Sequence, residues 1–351
     1  MSTPIRRALF SKVISPLSKS PNEPIGTVKN RPISARYLNF EGSPKCKKLK
    51  PPSLAQEVND VCIKVPSCKK LLINTPNKDH LLLSGISSPK NVNVLGKGAF
   101  GTVVSGVYKD SRVAVKVVKL RTHQDGELRE KNALGLNHKN VIKIIDVICK
   151  ANTNYGVVLM EYLGRCRHLQ DILDDRAVSL SSATVIKYGL DICAGLHYCH
   201  SNNVLHLDLK PANVLLCDGD ICKLCDFGNS QRVDCSNEDF CLGTILYAAP
   251  ELLMGRVPTA KCDIYSFGVL LWQMRYREIP YSNLHGNEVV VYKVVKFHQR
   301  PKAAEEDATG TVDEYRAIYT NCWSADPKDR PTTLETAERL NKLSADRFNF
   351  E

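Results

Sequence analysis

The sequence predicts an α+β fold in two lobes, a small strand-rich one followed by a larger helical one. Three observations carry this. A glycine-rich run, Gly96-Lys97-Gly98-Ala99-Phe100-Gly101, is followed by Thr102-Val103-Val104-Ser105-Gly106-Val107-Tyr108, whose β-branched content reads as strand rather than helix. Ile186, Leu190, Cys193 and Leu196 recur at helical spacing after Ser181-Ser182, a plausible cap, and Ile264, Phe267, Leu271 and Met274 repeat the pattern further on. Between these helical patterns lies a polar run, His206-Leu207-Asp208-Leu209-Lys210-Pro211-Ala212-Asn213, followed by Asp226-Phe227-Gly228.

Taken in order, residues 1–90 form a basic extension rich in serine and proline with little periodicity, expected to be mostly disordered. It holds six Ser/Thr-Pro pairs, starting at Thr3, Ser15, Ser20, Ser43, Thr75 and Ser88, which proline keeps extended and open to proline-directed kinases. Lys45-Cys46-Lys47-Lys48-Leu49-Lys50 reads as a solvated linker before it reads as a targeting or acidic-partner site. The folded domain spans 91–345, with a small lobe over about 91–160, a hinge at 161–165 and a large lobe over 166–345; residues 346–351 are a short tail. In the small lobe, Arg112-Val113-Ala114-Val115-Lys116-Val117-Val118 is a strand with one lysine in an apolar run. A helix should follow it. That helix carries Glu127 and Glu130, with Glu130 preferred as the partner of Lys116, and Gly126 and Gly135 make it marginal. Val158-Leu159-Met160-Glu161-Tyr162-Leu163-Gly164 is an apolar strand running into the hinge. In the large lobe, Asp263 braces a neighbouring loop, and Glu251 of Ala249-Pro250-Glu251 pairs in the interior with Arg330.

The polar run sets out the parts of a phosphoryl-transfer site. Such chemistry needs a carboxylate to orient the attacking hydroxyl and further oxygen ligands to hold Mg²⁺ on the phosphates. Asp208 supplies the first; Asn213 and Asp226 supply the metal ligands. Glycines 96, 98 and 101 let backbone amides approach phosphate oxygens closely. A dinucleotide-binding turn would need a helix after the glycines, so the phosphate-covering hairpin is the better reading. Lys116 then binds the α- and β-phosphates. These runs resemble those of eukaryotic protein kinases, and the resemblance implies a nucleotide pocket of Leu95, Gly96, Lys97, Gly98, Ala99, Phe100, Gly101, Val103, Ala114, Lys116, Glu130, Met160, Glu161, Leu163 and Leu215. Met160 stands at its back, and the Glu161 carbonyl and Leu163 amide are set to meet adenine. Lys210, two residues after Asp208, is placed to neutralise the transferred phosphate, and Thr244 is expected beside both. This is the serine/threonine pattern. The catalytic set is Asp208, Lys210 and Lys116, and the cofactors are ATP and Mg²⁺.

From about Asn91 to Leu343 the chain resembles eukaryotic protein kinases. Within them, His206–Leu215, Cys222-Lys223-Leu224-Cys225-Asp226-Phe227-Gly228, Ala260–Phe267, Leu271-Trp272-Gln273-Met274 and the start Met1-Ser2-Thr3-Pro4 look most like the Mos kinases. The resemblance implies the bilobal protein-kinase fold and a germ-cell serine/threonine kinase. By the same resemblance it phosphorylates a MAP kinase kinase, drives oocyte maturation and metaphase arrest, and acts as a cytoplasmic monomer. One departure stands out: Leu207 occupies the place where most kinases carry an arginine that receives an activation-loop phosphate. Activity should therefore not depend on phosphorylating Ser230, Ser236 or Thr244. Another MAP kinase kinase kinase, Raf-like or mixed-lineage-like, is the runner-up. A pseudokinase scaffold stands behind it, because Lys116, Asp208, Asn213 and Asp226 are all present.

Composition sets the remaining bounds. The chain has 351 residues with a net charge of +11; residues 1–90 hold 16 basic and 5 acidic residues, and the remainder holds 32 of each. A neutral globular part argues against a basic nucleic-acid-binding fold, so no nucleic-acid partner is expected. No apolar run reaches the roughly 18 residues of a membrane span, and no membrane partner is expected. Fourteen cysteines include the pair Cys222 and Cys225, with Cys217, Cys235 and Cys241 nearby, but no second close pair completes a zinc pattern. Cys225, next to Asp226, is a candidate reactive thiol.

Overall fold

The computed structural model describes residues 72–73, 94–98, 101–119, 128–149, 155–233, 242–302 and 314–348. The expected Ser/Thr-Pro sites, the 45–50 basic cluster, Ala99, Phe100, Glu127, Ser236, Cys235 and Cys241 lie outside them.

The small lobe is a six-stranded antiparallel sheet in the order β1-β3-β4-β6-β5, with β2 pairing β3. Its strands are β1 (Leu72–Ile73), β2 (Val94–Gly98), β3 (Gly101–Tyr108), β4 (Ser111–Lys119), β5 (Ile144–Cys149) and β6 (Tyr155–Glu161). The glycine-rich run lies on the β2–β3 hairpin, with Gly98 opposite Gly101, and the register slips at Leu95, between Val94 and Gly96. Valines of β3 and β4 sit directly opposite one another, as Val104 with Val115, and bury with Leu159 into a small core on one face. β-branched side chains pack well on a pleated surface, which is why this run forms strand. Two residues of the segment expected to be mostly disordered pair with β3, Leu72 opposite Val107 and Ile73 opposite Gly106.

The expected helix after β4 differs from the reading above. The described part is a five-residue 3₁₀ turn, Arg129–Ala133, entered from an extended Leu128 and left through an extended Leu134, with Gly135 at φ 86° immediately beyond. A glycine in the left-handed region stops a helix, and i→i+3 bonding is the short alternative.

The large lobe is helical: α1 (Leu169–Asp174), α2 (Ser182–Ser201), α3 (Pro250–Leu253), α4 (Ala260–Tyr276), α5 (Asn287–Phe297), α6 (Glu314–Cys322) and α7 (Thr333–Phe348). The last continues past the expected boundary at 345. Ser181 caps α2 by accepting the Thr184 amide at 3.1 Å, as the sequence suggested. In α4 the expected single apolar face proves too narrow, because every residue from Cys262 to Met274 is buried. The helix is the axis around which α2, α6 and the loops pack. Three short strands on the rim carry the site: β7 (Arg167–His168), β9 (Val214–Cys217) and β10 (Ile221–Leu224) form one sheet. β8 (Val204–Leu205) pairs with β11 (Gln231–Arg232).

Candidate active site

The segment from β8 to β9 folds so that polar groups meet at the junction of the lobes. Its backbone is held from below by one side chain of α4. Asp263, fully buried, accepts the His206 amide at 2.9 Å and the Leu207 amide at 2.8 Å. It also takes a 2.8 Å bond from His200 Nε2. Burial opposes the charge of Asp263, but the His200 bond and the nearby imidazoles outweigh it and hold its carboxyl below the usual range. Leu207 sits at φ 60°. A left-handed leucine costs on the order of 1–3 kcal/mol and persists because the surroundings over-determine it. Its side chain is buried among apolar groups, and the Phe227 ring packs 4.9 Å from that of His206.

Asp208 then receives four hydrogen bonds on its carboxylate. Oδ1 accepts the Thr244 amide and hydroxyl, both at 2.8 Å. Oδ2 accepts Lys210 Nζ at 2.9 Å and Asn213 Nδ2 at 3.0 Å. Lys210 Nζ also reaches Thr244 Oγ1 at 2.6 Å, so the expected place of Thr244 beside both residues is observed. The approach is so close that a Cβ on Gly243 would collide with the Leu207 carbonyl oxygen and lie 2.9 Å from Asp208 Oδ1.

On the small-lobe side, Lys116 Nζ lies 2.9 Å from Glu130 Oε1 and 2.7 Å from Asp226 Oδ1. Glu130 is thus at the lysine, and Glu127 lies outside the described residues. Burial would lower the Lys116 pKa, but the two carboxylates outweigh it and raise it. Burial likewise works against the ionised Asp226, and the ammonium outweighs it, drawing the pKa below the ordinary value. Asp226 itself sits at φ 62°. With Asn213 Nδ2 engaged by Asp208, its Oδ1 is the atom able to ligate a hard cation. One carboxylate and one amide oxygen suit Mg²⁺, which keeps few protein ligands and completes its shell with water and phosphate.

Most of the apolar residues expected to line the pocket belong to, or pack against, the main core. Ala114 and Met160, opposite one another across β4 and β6, belong to the main core, and Val103, Leu163 and Leu215 pack against it. Leu95 lies outside this group and is exposed. Gly96, Gly98 and Gly101 are described in the backbone of β2 and β3, and the side chain of Lys97 lies outside the described set. The Glu161 side chain is engaged below the hinge by Lys223 Nζ at 3.0 Å and by the Lys143 amide at 2.8 Å.

One expectation needs correction, and another gains a structural reason. Burial pushes the Cys225 thiol far above its ordinary value, so it is an inert packed thiol rather than a reactive one. Ser230 is fully buried and donates to the Arg129 carbonyl at 2.8 Å, which closes it to a modifying enzyme. Sequence reading missed its structural part: Asn132 Nδ2 donates to the Ser230 carbonyl at 2.9 Å, so the 3₁₀ turn that carries Glu130 is tied to the segment after Asp226. The one available signal was small polar residues flanking both motifs, which is too common to single out.

Comparison with known proteins agrees with this geometry. The protein kinase domain family matches residues 90–341. The serine/threonine-protein kinase mos of Patiria pectinifera is 38% identical over 291 residues, covering 79% of this chain and 81% of that protein. That of Xenopus laevis is 37% identical over 271 residues, covering 72% and 75%. The mouse proto-oncogene serine/threonine-protein kinase mos is 35% identical over 261 residues, covering 68% and 75%. The chain is a serine/threonine protein kinase, a member of the protein kinase family and, within it, of the Mos kinases.

Proposed function

We propose that this kinase transfers the γ-phosphate of ATP to a serine or threonine of a MAP kinase kinase, in the pathway that drives oocyte meiotic maturation and metaphase arrest. The observation that supports the chemistry most directly is the fourfold anchoring of Asp208 beside Lys210 and Thr244. Asp208 orients the substrate hydroxyl and accepts its proton, help worth about 10²–10⁴-fold. Lys210 offsets charge on the transferring group. Lys116, steered by Glu130, holds the α- and β-phosphates under the β2–β3 hairpin, and Asn213 and Asp226 would hold Mg²⁺. When bound, that ion neutralises phosphate charge and fixes the phosphates in line. Val103, Ala114, Met160, Leu163 and Leu215 enclose the base, with the Glu161 carbonyl and Leu163 amide as its polar partners. The pathway assignment rests on kinship with the Mos kinases, as do a monomeric state and a cytoplasmic place of action.

The test is phosphate incorporation from labelled ATP into a catalytically dead MAP kinase kinase, with wild type and Asp208→Asn side by side and a generic basic protein as second substrate. Transfer to the MAP kinase kinase by wild type alone is expected. Transfer to the generic protein alone would retain the chemistry and overturn the pathway.

Leu207 supports a further part of this reading, namely activity without a phosphate on the activation segment. It is an apolar, buried side chain where a charge-assisted contact would otherwise form. Phosphatase-treated protein is expected to keep its activity; loss restored by a single loop phosphate would reject this.

A further inference from the structure

Two thiols outside the phosphoryl-transfer machinery oppose one another where the hinge enters the large lobe. Antiparallel pairing sets Arg167 opposite Leu216 and His168 opposite Leu215. β7 ends at Arg167, and its register carried one residue past that end brings the Cys166 backbone level with Cys217. Directly opposed residues have Cα atoms about 4.5–5.5 Å apart and project to one face, inside the span of about 4.4–6.8 Å that a disulfide bridges. Both thiols are free; Cys166 is exposed and Cys217 half-buried.

Burial first, and then Cys166 ahead of any other neighbour, pushes the Cys217 thiol up to about 11. Both thiols also act on Cys225 nearby.

We propose that Cys166 and Cys217 form a dithiol modification site that closes to a disulfide under peroxide, stapling the hinge exit to the strand that carries Leu215. A Cys166 thiolate attacks one peroxide oxygen, giving a sulfenic acid and releasing hydroxide, which a proton converts to water. The Cys217 sulfur then displaces the sulfenic hydroxyl as a second water. Two thiols lose two protons and two electrons, and one hydrogen peroxide takes them up to become two waters. Closure is slow at neutral pH, because burial and the Asp218 carboxylate raise the Cys166 thiol and little thiolate is present. Around Cys217, Glu161 and Asp218 oppose its ionisation and Lys223 favours it. The pair therefore records sustained oxidation and closes faster toward alkaline pH. The functional consequence rests on the nucleotide pocket proposed above: Leu163 and Leu215 lie within three residues of the two thiols, so a staple fixes the hinge wall against the pocket floor and slows nucleotide exchange.

The experiment oxidises the full chain with hydrogen peroxide, alkylates remaining thiols, digests and weighs the peptides. The expected product is a Cys166–Cys217 linked peptide, abolished by dithiothreitol and absent from Cys166→Ser and Cys217→Ala. Since Cys166 is exposed, its serine variant is expected to melt as wild type does. A Cys166 found only as sulfenic or sulfinic acid, or paired elsewhere, overturns the site. Phosphorylation of the substrate is measured before and after dithiothreitol in the same sample. Recovery on reduction is expected in wild type and not in Cys166→Ser. A linked peptide with unchanged turnover would overturn the staple's effect while the site itself stands. The mass readout is independent of the kinase reading, so the two can fail separately.

Discussion

Among the described residues, the ion pairs of Arg330 and of Lys116 are both buried, and they are built differently. Arg330 is sealed: its side chain is 0% exposed, and its five N–H groups match five bonds. Nη1 meets Glu251 Oε1 at 2.6 Å and the Lys261 carbonyl at 2.8 Å, and Nη2 meets Glu251 Oε2 at 2.9 Å and the Ala325 carbonyl at 3.4 Å. Nε meets the Ser324 carbonyl at 2.9 Å. Lys116 is shared between two carboxylates from different segments, and one of them, Asp226, keeps 23% of its side chain exposed. A planar fork with every donor used locks one arrangement. A point charge between two acids, one open to solvent, can exchange a partner for a phosphate. Burial of an ion pair does not by itself mark function; an acid left open beside it does.

The sharpest way to break this contrast is Arg330→Leu, which leaves Glu251 buried without its partner. A loss of about 3–5 kcal/mol of stability is expected, read by denaturant unfolding, with phosphotransfer per folded molecule unchanged. A stable variant would show that the sealed pair is dispensable. Next in size, Lys116→Met should lower kcat by about 10²–10³-fold, the scale for removing one preorganised charge from a transition state. Its melting temperature should fall less than that of Arg330→Leu, since Asp226 can turn to water. If Lys116→Met unfolded the protein instead, the two pairs would be alike.

The smallest effect is in pH. Burial opposes the Glu251 charge, but the Arg330 bonds and charge outweigh it, so its folded pKa lies below the ordinary 4.5. Its contribution is complete above that ordinary value and is lost as pH falls through the lowered one. The stability gap between wild type and Arg330→Leu should therefore narrow on acidification below about 4.5, measured by urea midpoints. A gap constant with pH would assign it to lost packing.

What could be read in advance divides along the same line. Asp208, Lys210, Asn213, Asp226 and Thr244 were legible because phosphoryl transfer demands those residue types at fixed spacing on short loops. Glu130 was chosen over Glu127 from register, and Arg330 was found for Glu251 from a motif that brings both inward. Properties set by distant packing were not legible. The described part of the expected helix, residues 129–133, is a 3₁₀ turn because an extended entry and a left-handed glycine bound it. The α4 helix is buried on every side, which periodicity within one segment cannot reveal. Cys225 reads as a candidate reactive thiol from its place beside Asp226, yet burial in the surrounding core keeps it protonated. The pairing of Leu72 and Ile73 with β3 depends on a strand edge that only the folded sheet provides.

Asp263 has a consequence for reading variants. No substrate would touch it, yet it fixes two successive amides of the segment that ends in Asp208 and sits in a helix with no solvent side to relax into. A change there would imitate the loss of a reacting group while altering none. A missense allele at this position would score as catalytically null in any activity screen, and it would be misfiled as chemistry when the fault is in the foundation.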